Sequence, residues 1–238
     1  MTAGFTAVVL AAGKGSRLGE LGERYSKPMV PVLGRPMIEW SIERLRCAGA
    51  DRLVVVAHPD NSRLEEYLAA QQPGVLVVHQ RERLGVGDAV LRALSAIEED
   101  AFLCCACDSL FRPDDIAALV ELGRCEAGVA AIGVLDMGVA ATRTRSAVRV
   151  DADRVVEIVE KPSQPISGLV ALPIYWLVRE LEPYLANAAL VGGERHSTTA
   201  LAAWIAAGKI VRALPMGERL ELTAAEDLTA LEQALASR

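Results

Sequence analysis

Aromatic residues are scarce in this chain: three Phe, three Trp and four Tyr make up 4% of its 238 residues. A core without many rings has to be built from Val, Leu, Ile and Ala. Apolar residues supply 52% of the chain, enough for one α/β domain to fold without staples. Long apolar runs are missing too. No uninterrupted segment approaches the ~20 residues of a membrane span, and the N-terminus lacks the basic-then-apolar order of a signal peptide. The expectation is a cytoplasmic protein with no membrane partner. A surplus of positive charge is absent as well, and a net charge of −6 offers no basic face to nucleic acid. The five cysteines are an odd number, and Cys104, Cys105 and Cys107 crowd one strand pattern. Neighbouring strand residues point to opposite faces, so Cys104 and Cys105 do not share one tetrahedral metal site. With no histidine at ligand spacing, buried free thiols in a reducing compartment are the expectation for all five, Cys47 and Cys125 included.

What is present is concentrated at the start. The apolar run Phe5 to Ala11 reads as a buried parallel strand, and it ends in a loop holding Gly13, Lys14, Gly15, Ser16 and Arg17. Glycines there let backbone N–H groups approach an anion. Between Lys14 and Arg35 stand Lys14, Arg17, Arg24, Lys27 and Arg35 against only Glu20 and Glu23, a local cationic focus in an acidic chain. Two lookalikes are excluded. A dinucleotide fingerprint needs G-x-G-x-x-G and an acidic end to the second strand. Here the glycines are Gly13, Gly15 and Gly19, and the second strand ends at His58 and Pro59. The G-x-x-x-x-G-K-[ST] phosphate loop does not occur. Arg17 and Lys27 follow the glycines at a distance that lets the loop fold around a polyphosphate, and the expectation is a nucleoside triphosphate site.

Strand and helix patterns alternate with short connections, which predicts a mainly parallel mixed sheet covered by helices on both faces. The strands are expected at Thr6–Ala11, Arg52–Ala57, Val75–His79, Ala101–Cys107 and Gly128–Leu135. Helices are expected at Met37–Ala48, Ser62–Gln71, Val86–Ile97 and Pro113–Leu122. After about residue 140 the pattern changes to a hairpin (Ala147–Val150 and Arg154–Val159), a strand at Gly168–Leu177 and a helix near Pro183. A helix over Ser197–Ala207, a strand over Ile210–Leu214 and a final helix over Ala224–Ala236 complete the reading. One domain is expected over residues 1–238, with a nucleotide half over about 1–140 and an acceptor half over about 141–238.

The segments L-A-A-G-K-G-S-R-L (10–18) and K-P-M-V-P-V-L-G-R-P-M-I (27–38) together resemble the start of the sugar-1-phosphate nucleotidyltransferases, also called nucleotide-sugar pyrophosphorylases. V-E-I-V-E-K-P-S-Q-P-I-S-G (156–168) resembles the glucose-1-phosphate thymidylyltransferases among them. The resemblance implies a single Rossmann-like nucleotidyltransferase domain. The implied substrates are an NTP and a phosphorylated small-molecule acceptor, and the implied cofactor is Mg²⁺; a homo-oligomer is compatible with it. The chain shows no hexapeptide array, so a fused acyltransferase domain is not expected. On this resemblance Leu10, Ala11, Ala12, Gly13, Lys14, Gly15 and Ser16 bind the nucleotide, and Arg17 and Lys27 hold its phosphates. Gln80 and Gly85, in the pattern Q-x-x-x-x-G, receive the base, since an amide can pair with a Watson–Crick edge. Asp108 is a magnesium ligand at the carboxyl edge of the fourth strand, and Glu221 stands where the family places its second metal-binding aspartate. Glu160 accepts from sugar hydroxyls, Lys161 holds the sugar phosphate, and Gly168 lies on the acceptor strand.

Bland readings stand beside these. Asp108 suits a cap, Glu160–Lys161 a solvated surface pair, and Glu221 an exposed strand position. Four departures from the family pattern fall in the acceptor half: Thr199 replaces an aspartate, Ser146-Ala147 a Tyr-Gly, Gly168 an asparagine and Pro173 a glycine. They leave two rivals open, cytidylyl transfer to a non-sugar alcohol phosphate such as phosphocholine or inositol phosphate, and a non-catalytic NTP-binding subunit. Molybdenum-cofactor-type transfer fits the first motif but not E-K-P-S-Q-P.

Overall fold

The computed structural model describes residues 4–237; residues 1–3, where the leader reading falls, lie outside it. A nine-stranded sheet forms the body. Its strands are β1 (Phe5–Leu10), β2 (Ala50–Ala57), β3 (Leu76–His79), β4 (Ala101–Ala106), β5 (Ala130–Asp136), β6 (Ala147–Asp151), β7 (Arg154–Val159), β8 (Leu169–Val178) and β9 (Val211–Pro215). They lie in the order β3-β2-β1-β4-β8-β5-β9-β7-β6. Strands β3, β2, β1 and β4 are mutually parallel. Strand β8 runs against both β4 and β5, and β7 runs against β9 and β6. The sheet is therefore mixed: four strands from the first part of the chain are mutually parallel, and β9 runs parallel to β5 farther along.

Alternation along each strand decides the packing. In β1, Val8 faces one core while Ala7 and Val9 face the other; in β2, Val54 and Val56 oppose Leu53 and Val55. The first face is covered by α4 (Val86–Ala93), α6 (Glu182–Asn187) and α7 (Ser197–Ala206). The second is covered by α2 (Met37–Cys47), α3 (Ser62–Gln71) and α5 (Pro113–Arg124), while the short α1 (Glu20–Arg24) precedes them in the chain. Strands buried on both faces read as continuous Val/Leu runs, which is why β1 and β2 were so visible.

A third cluster lies off the sheet. Leu18, Val30, Val32 and Met37 pack there with Leu222, Leu231 and Leu235, the last two from α8 (Asp227–Ala236). Its strands are short ladders: Pro31–Val32 pairs with Arg35–Pro36 across a turn with left-handed Leu33 and Gly34, and Leu220–Glu221 pairs with Ser109–Leu110.

Three expectations need correction. The helix predicted to Ile97 tightens into a 3-10 turn at Leu94–Ala96. The last helix begins at Asp227, because the Asp227 carboxylate accepts from the N–H groups of Thr223 and Ala224 (2.7 and 2.8 Å) and holds them in a turn. Cys47 and Cys125 are exposed, whereas Cys104, Cys105 and Cys107 are buried and free. Cys104 and Cys105 do face opposite cores, and burial pushes the Cys105 thiol up to about 12.

Candidate active site

Strand β1 leads to β2 on one side of the sheet, and β4 lies on its other side, so a crevice opens past the carboxyl ends of β1 and β4. Ala11 N–H still bonds Val56 O at 2.8 Å, after which the loop leaves the sheet. Gly15 has φ 66°. A Cβ there would stand 3.1 Å from Leu18 and 3.2 Å from the Lys27 side chain. The glycine thus serves both a left-handed backbone and the close approach of Lys27. Leu18 is fully buried in the third cluster and anchors the loop.

A cavity of ≈ 390 Å³ occupies the crevice. Leu10, Ala11, Ala12, Gly13, Lys14, Gly15, Ser16 and Arg17 line one side, Gln80 and Gly85 another, and Lys27 and Asp108 the floor. Asp108 follows β4 by two residues. Its Oδ2 pairs with Lys27 Nζ and its Oδ1 accepts from Ser109 Oγ at 3.1 Å. The side chains of Lys27 and Asp108 are only 13% and 23% exposed. Opposite charges are thus held side by side at a partly dehydrated floor, one suited to a phosphate and the other to a cation.

Among the lining residues that sequence reasoning missed, three carry charged or hydroxyl side chains: Arg83, Glu194 and Thr223. Arg83 donates from Nε to Ala12 O at 3.1 Å and closes the glycine loop against the β3–α4 connection. Its position between Gln80 and Gly85 was a usable signal. Glu194 and Thr223 come from the far half of the chain, and no periodicity points to them.

Gln80 is buried, and its Nε2 donates to Gly85 O and to Asp88 Oδ2, each at 3.0 Å. Gly85 opens α4 with φ 94°. A Cβ on it would meet Arg195 O at 2.6 Å, and Arg195 N–H bonds Leu84 O at 2.7 Å. So this glycine also admits the backbone of a crossing segment.

The remaining predicted residues lie apart from this cavity. Glu160 is 7% exposed. Its Oε2 accepts from Ser146 and, at 2.7 Å, from Thr198 Oγ1. Its Oε1 faces His196 Nδ1 at 3.7 Å and Lys161 Nζ at 3.8 Å. Glu160 is not a solvated surface residue; Lys161, at 47% exposed, is half in solvent, and its φ of 45° is left-handed. Burial and then Glu160 push the Tyr175 hydroxyl well above its usual range. Gly168 opens β8 against the 136–138 turn, where a Cβ would meet Asp136 Oδ1 at 2.9 Å.

Glu221 sits opposite Ser109 in the short ladder, one residue from Asp108. Its oxygens accept from Arg145 (3.1 Å), Arg219 (2.6 Å) and Thr223 Oγ1 (3.1 Å). Burial would raise this carboxyl, but Arg219 and Arg145 outweigh it and hold the group below its ordinary value. Burial correspondingly lowers the mostly enclosed Arg219 guanidinium, against the pull of Glu221 and Asp108.

A doubly covered mixed sheet with a glycine loop, two cations and a carboxylate at its carboxyl edge defines a nucleotidyltransferase. Residues 7–202 match the model of the MobA-like NTP transferase domain, and the chain belongs to that family. It is 32% identical to the UTP–glucose-1-phosphate uridylyltransferase AglF of Haloferax volcanii, over 96% of each chain. It is 28% identical to the bifunctional protein GlmU of Methanocaldococcus jannaschii over 82% of this chain, spanning 45% of GlmU. A UDP-glucose pyrophosphorylase solved with UDP-glucose superimposes with a TM-score of 0.87 at 20% identity, covering 98% of this chain and 99% of that one, which speaks for the fold. Among the described residues, no helix is long and apolar enough to cross a membrane.

Proposed function

We propose that this enzyme transfers a nucleoside monophosphate from an NTP to a hexose 1-phosphate, releasing pyrophosphate. The observation that carries the reading is the Lys27–Asp108 pair on the floor of a cavity whose rim is the glycine loop. Relatedness to AglF over nearly the whole chain puts UTP and glucose 1-phosphate first among the substrates to test.

In the reaction an oxygen of the sugar phosphate attacks the α-phosphorus in line. One P–O bond forms, the bond to the bridging oxygen breaks, and pyrophosphate leaves. The sugar phosphate is itself the nucleophile, and the buried thiols are not needed for attack. Cys105 and Cys107 are held protonated by burial. The protein's contribution is placement and neutralisation of charge. The loop N–H groups, Lys14 and Arg17 hold the β- and γ-phosphates, and Lys27 turns from Asp108 to the α-phosphate. Glu160 receives sugar hydroxyls through Oε1, its Oε2 being fixed by Ser146 and Thr198, while Lys161 takes the sugar phosphate and Gly168 stands at the start of the acceptor strand, packed against Asp136.

The donor set fits Mg²⁺: Asp108 offers a hard carboxylate on the cavity beside the phosphate cations. Bound there, the ion would screen charge on the reacting phosphates. Glu221 would join as a second ligand by giving up an arginine. Residues 141–238 form the acceptor half, although Glu194 and Thr223 of that half reach the nucleotide cavity.

The test is pyrophosphate release from UTP, dTTP, CTP, GTP and ATP with glucose 1-phosphate, N-acetylglucosamine 1-phosphate, phosphocholine and inositol phosphate. Turnover confined to a sugar 1-phosphate supports the reading. Turnover only with phosphocholine or inositol phosphate, or binding of NTP without turnover on any acceptor, overturns it.

A further inference from the structure

Gln80 is held in one orientation by its neighbours, and this has a chemical consequence. Gly85 O and Asp88 Oδ2, both 3.0 Å from Nε2, are acceptors only. The side of the carboxamide that faces them must be the NH₂ group, so its orientation is dictated by chemistry. Both amide hydrogens are then committed, and Gln80 has its carbonyl oxygen left to offer the cavity it lines.

Asp88 is itself fixed. It lies in the first turn of α4, where negative charge is favoured. Its side chain is 6% exposed, and its other oxygen takes Arg92 Nη2 at 3.1 Å. One carboxylate oxygen therefore serves Arg92 and the other serves Gln80. Only a carboxylate offers an acceptor on both sides; an asparagine has one.

We infer that Asp88 is a positioning residue for base selection: by locking the Gln80 amide it presents a lone acceptor to the base and favours one whose pairing edge carries a ring N–H. Uracil and thymine carry that N–H at N3. Cytosine has a bare acceptor nitrogen there, which would meet the Gln80 oxygen lone pair to lone pair. The inference rests on the nucleotidyl-transfer reading only in taking this cavity as the NTP site.

The experiment compares UTP with CTP on the full chain, by calorimetric dissociation constants and by kcat/KM for pyrophosphate release with glucose 1-phosphate. The wild type is expected to favour UTP at least tenfold in both. In Asp88→Asn the charged Arg92 claims the single amide oxygen and the new NH₂ faces the NH₂ of Gln80, so that Gly85 O alone no longer holds the Gln80 amide in one orientation. The UTP-to-CTP ratio should then fall about tenfold, with the melting temperature little changed. Arg92→Leu added to Asp88→Asn lets the amide oxygen return to Gln80 and should restore most of the ratio, a result that a merely structural role for Asp88 would not give. An unchanged ratio in folded Asp88→Asn, or a wild type that prefers CTP, overturns the inference. If discrimination and its loss appear in binding while no nucleotide is turned over, the inference stands and the transfer reading fails.

Discussion

Replacing Lys27 by Ala separates what this side chain does for the fold from what it does for the chemistry. Its Nζ pairs with Asp108 with 13% of the Lys27 side chain and 23% of the Asp108 side chain exposed. Breaking a fully buried pair costs about 3–5 kcal/mol, and an exposed pair is worth about 0–1 kcal/mol. A partly buried pair whose carboxylate keeps Ser109 as a donor falls between, at about 1–2 kcal/mol. For a chain of this size that is a fall in Tm of about 2–8 °C. Catalysis should suffer far more. Removing one preorganised donor to a developing charge costs about 2.7–4 kcal/mol, so kcat should drop by about 10²–10³. The assays are thermal unfolding by circular dichroism and steady-state pyrophosphate release at saturating NTP. A kcat within about fivefold of wild type in a folded Lys27→Ala protein would refute the placement of Lys27 at the phosphates, and so would a lost activity explained wholly by unfolding.

Gly85→Ala meets both a φ of 94° and Arg195 O at 2.6 Å from the new Cβ. Left-handed strain of about 1–2 kcal/mol and displacement of the 194–196 segment should raise KM for NTP at least tenfold with a smaller change in kcat, read from initial rates. The Glu221 carboxyl, held below its ordinary 4.5 by Arg219 and Arg145 against burial, contributes stability that is fully present above about pH 4.5. That stability is lost as pH falls through the lowered folded value. Urea titrations from pH 6 down to pH 3 should therefore show a steeper loss in wild type than in Glu221→Gln, and parallel curves would exclude the coupling.

The nucleotide side was legible because its signals are local. The run at β1, the glycine that must take a left-handed φ and the cations behind it sit within about thirty residues of one another in the sequence, and the fold adds only their closure. Residues 160, 161, 168 and 221 were legible as motif positions but not as a shape. Whether Glu160 is buried depends on Ser146 and Thr198, which approach it from other elements. Whether Glu221 is open to a metal depends on Arg145 and Arg219. Partner choice across such separations has no periodicity to betray it. The same holds for Asp88, which by pattern is an acidic residue in a helix's first turn and by contact is the partner of Gln80. The exposure of Cys47 and Cys125 follows from spacing: each stands two residues past the last buried position of its helix, Leu45 and Gly123, and so off the buried face.

Helix α8 clasps the turn that carries Lys27: Leu231 and Leu235 pack on Val30, Val32 and Met37, and Glu232 takes the N–H of Leu33 at 2.9 Å. Donor recognition is thereby made hostage to chain that leaves the ribosome late. Strands β3, β2, β1 and β4 can pair as they are made, but Val30 and Val32 lack part of their packing until Leu222, Leu231 and Leu235 arrive. Competence to grip a triphosphate should then lag behind the pairing of β1 to β4.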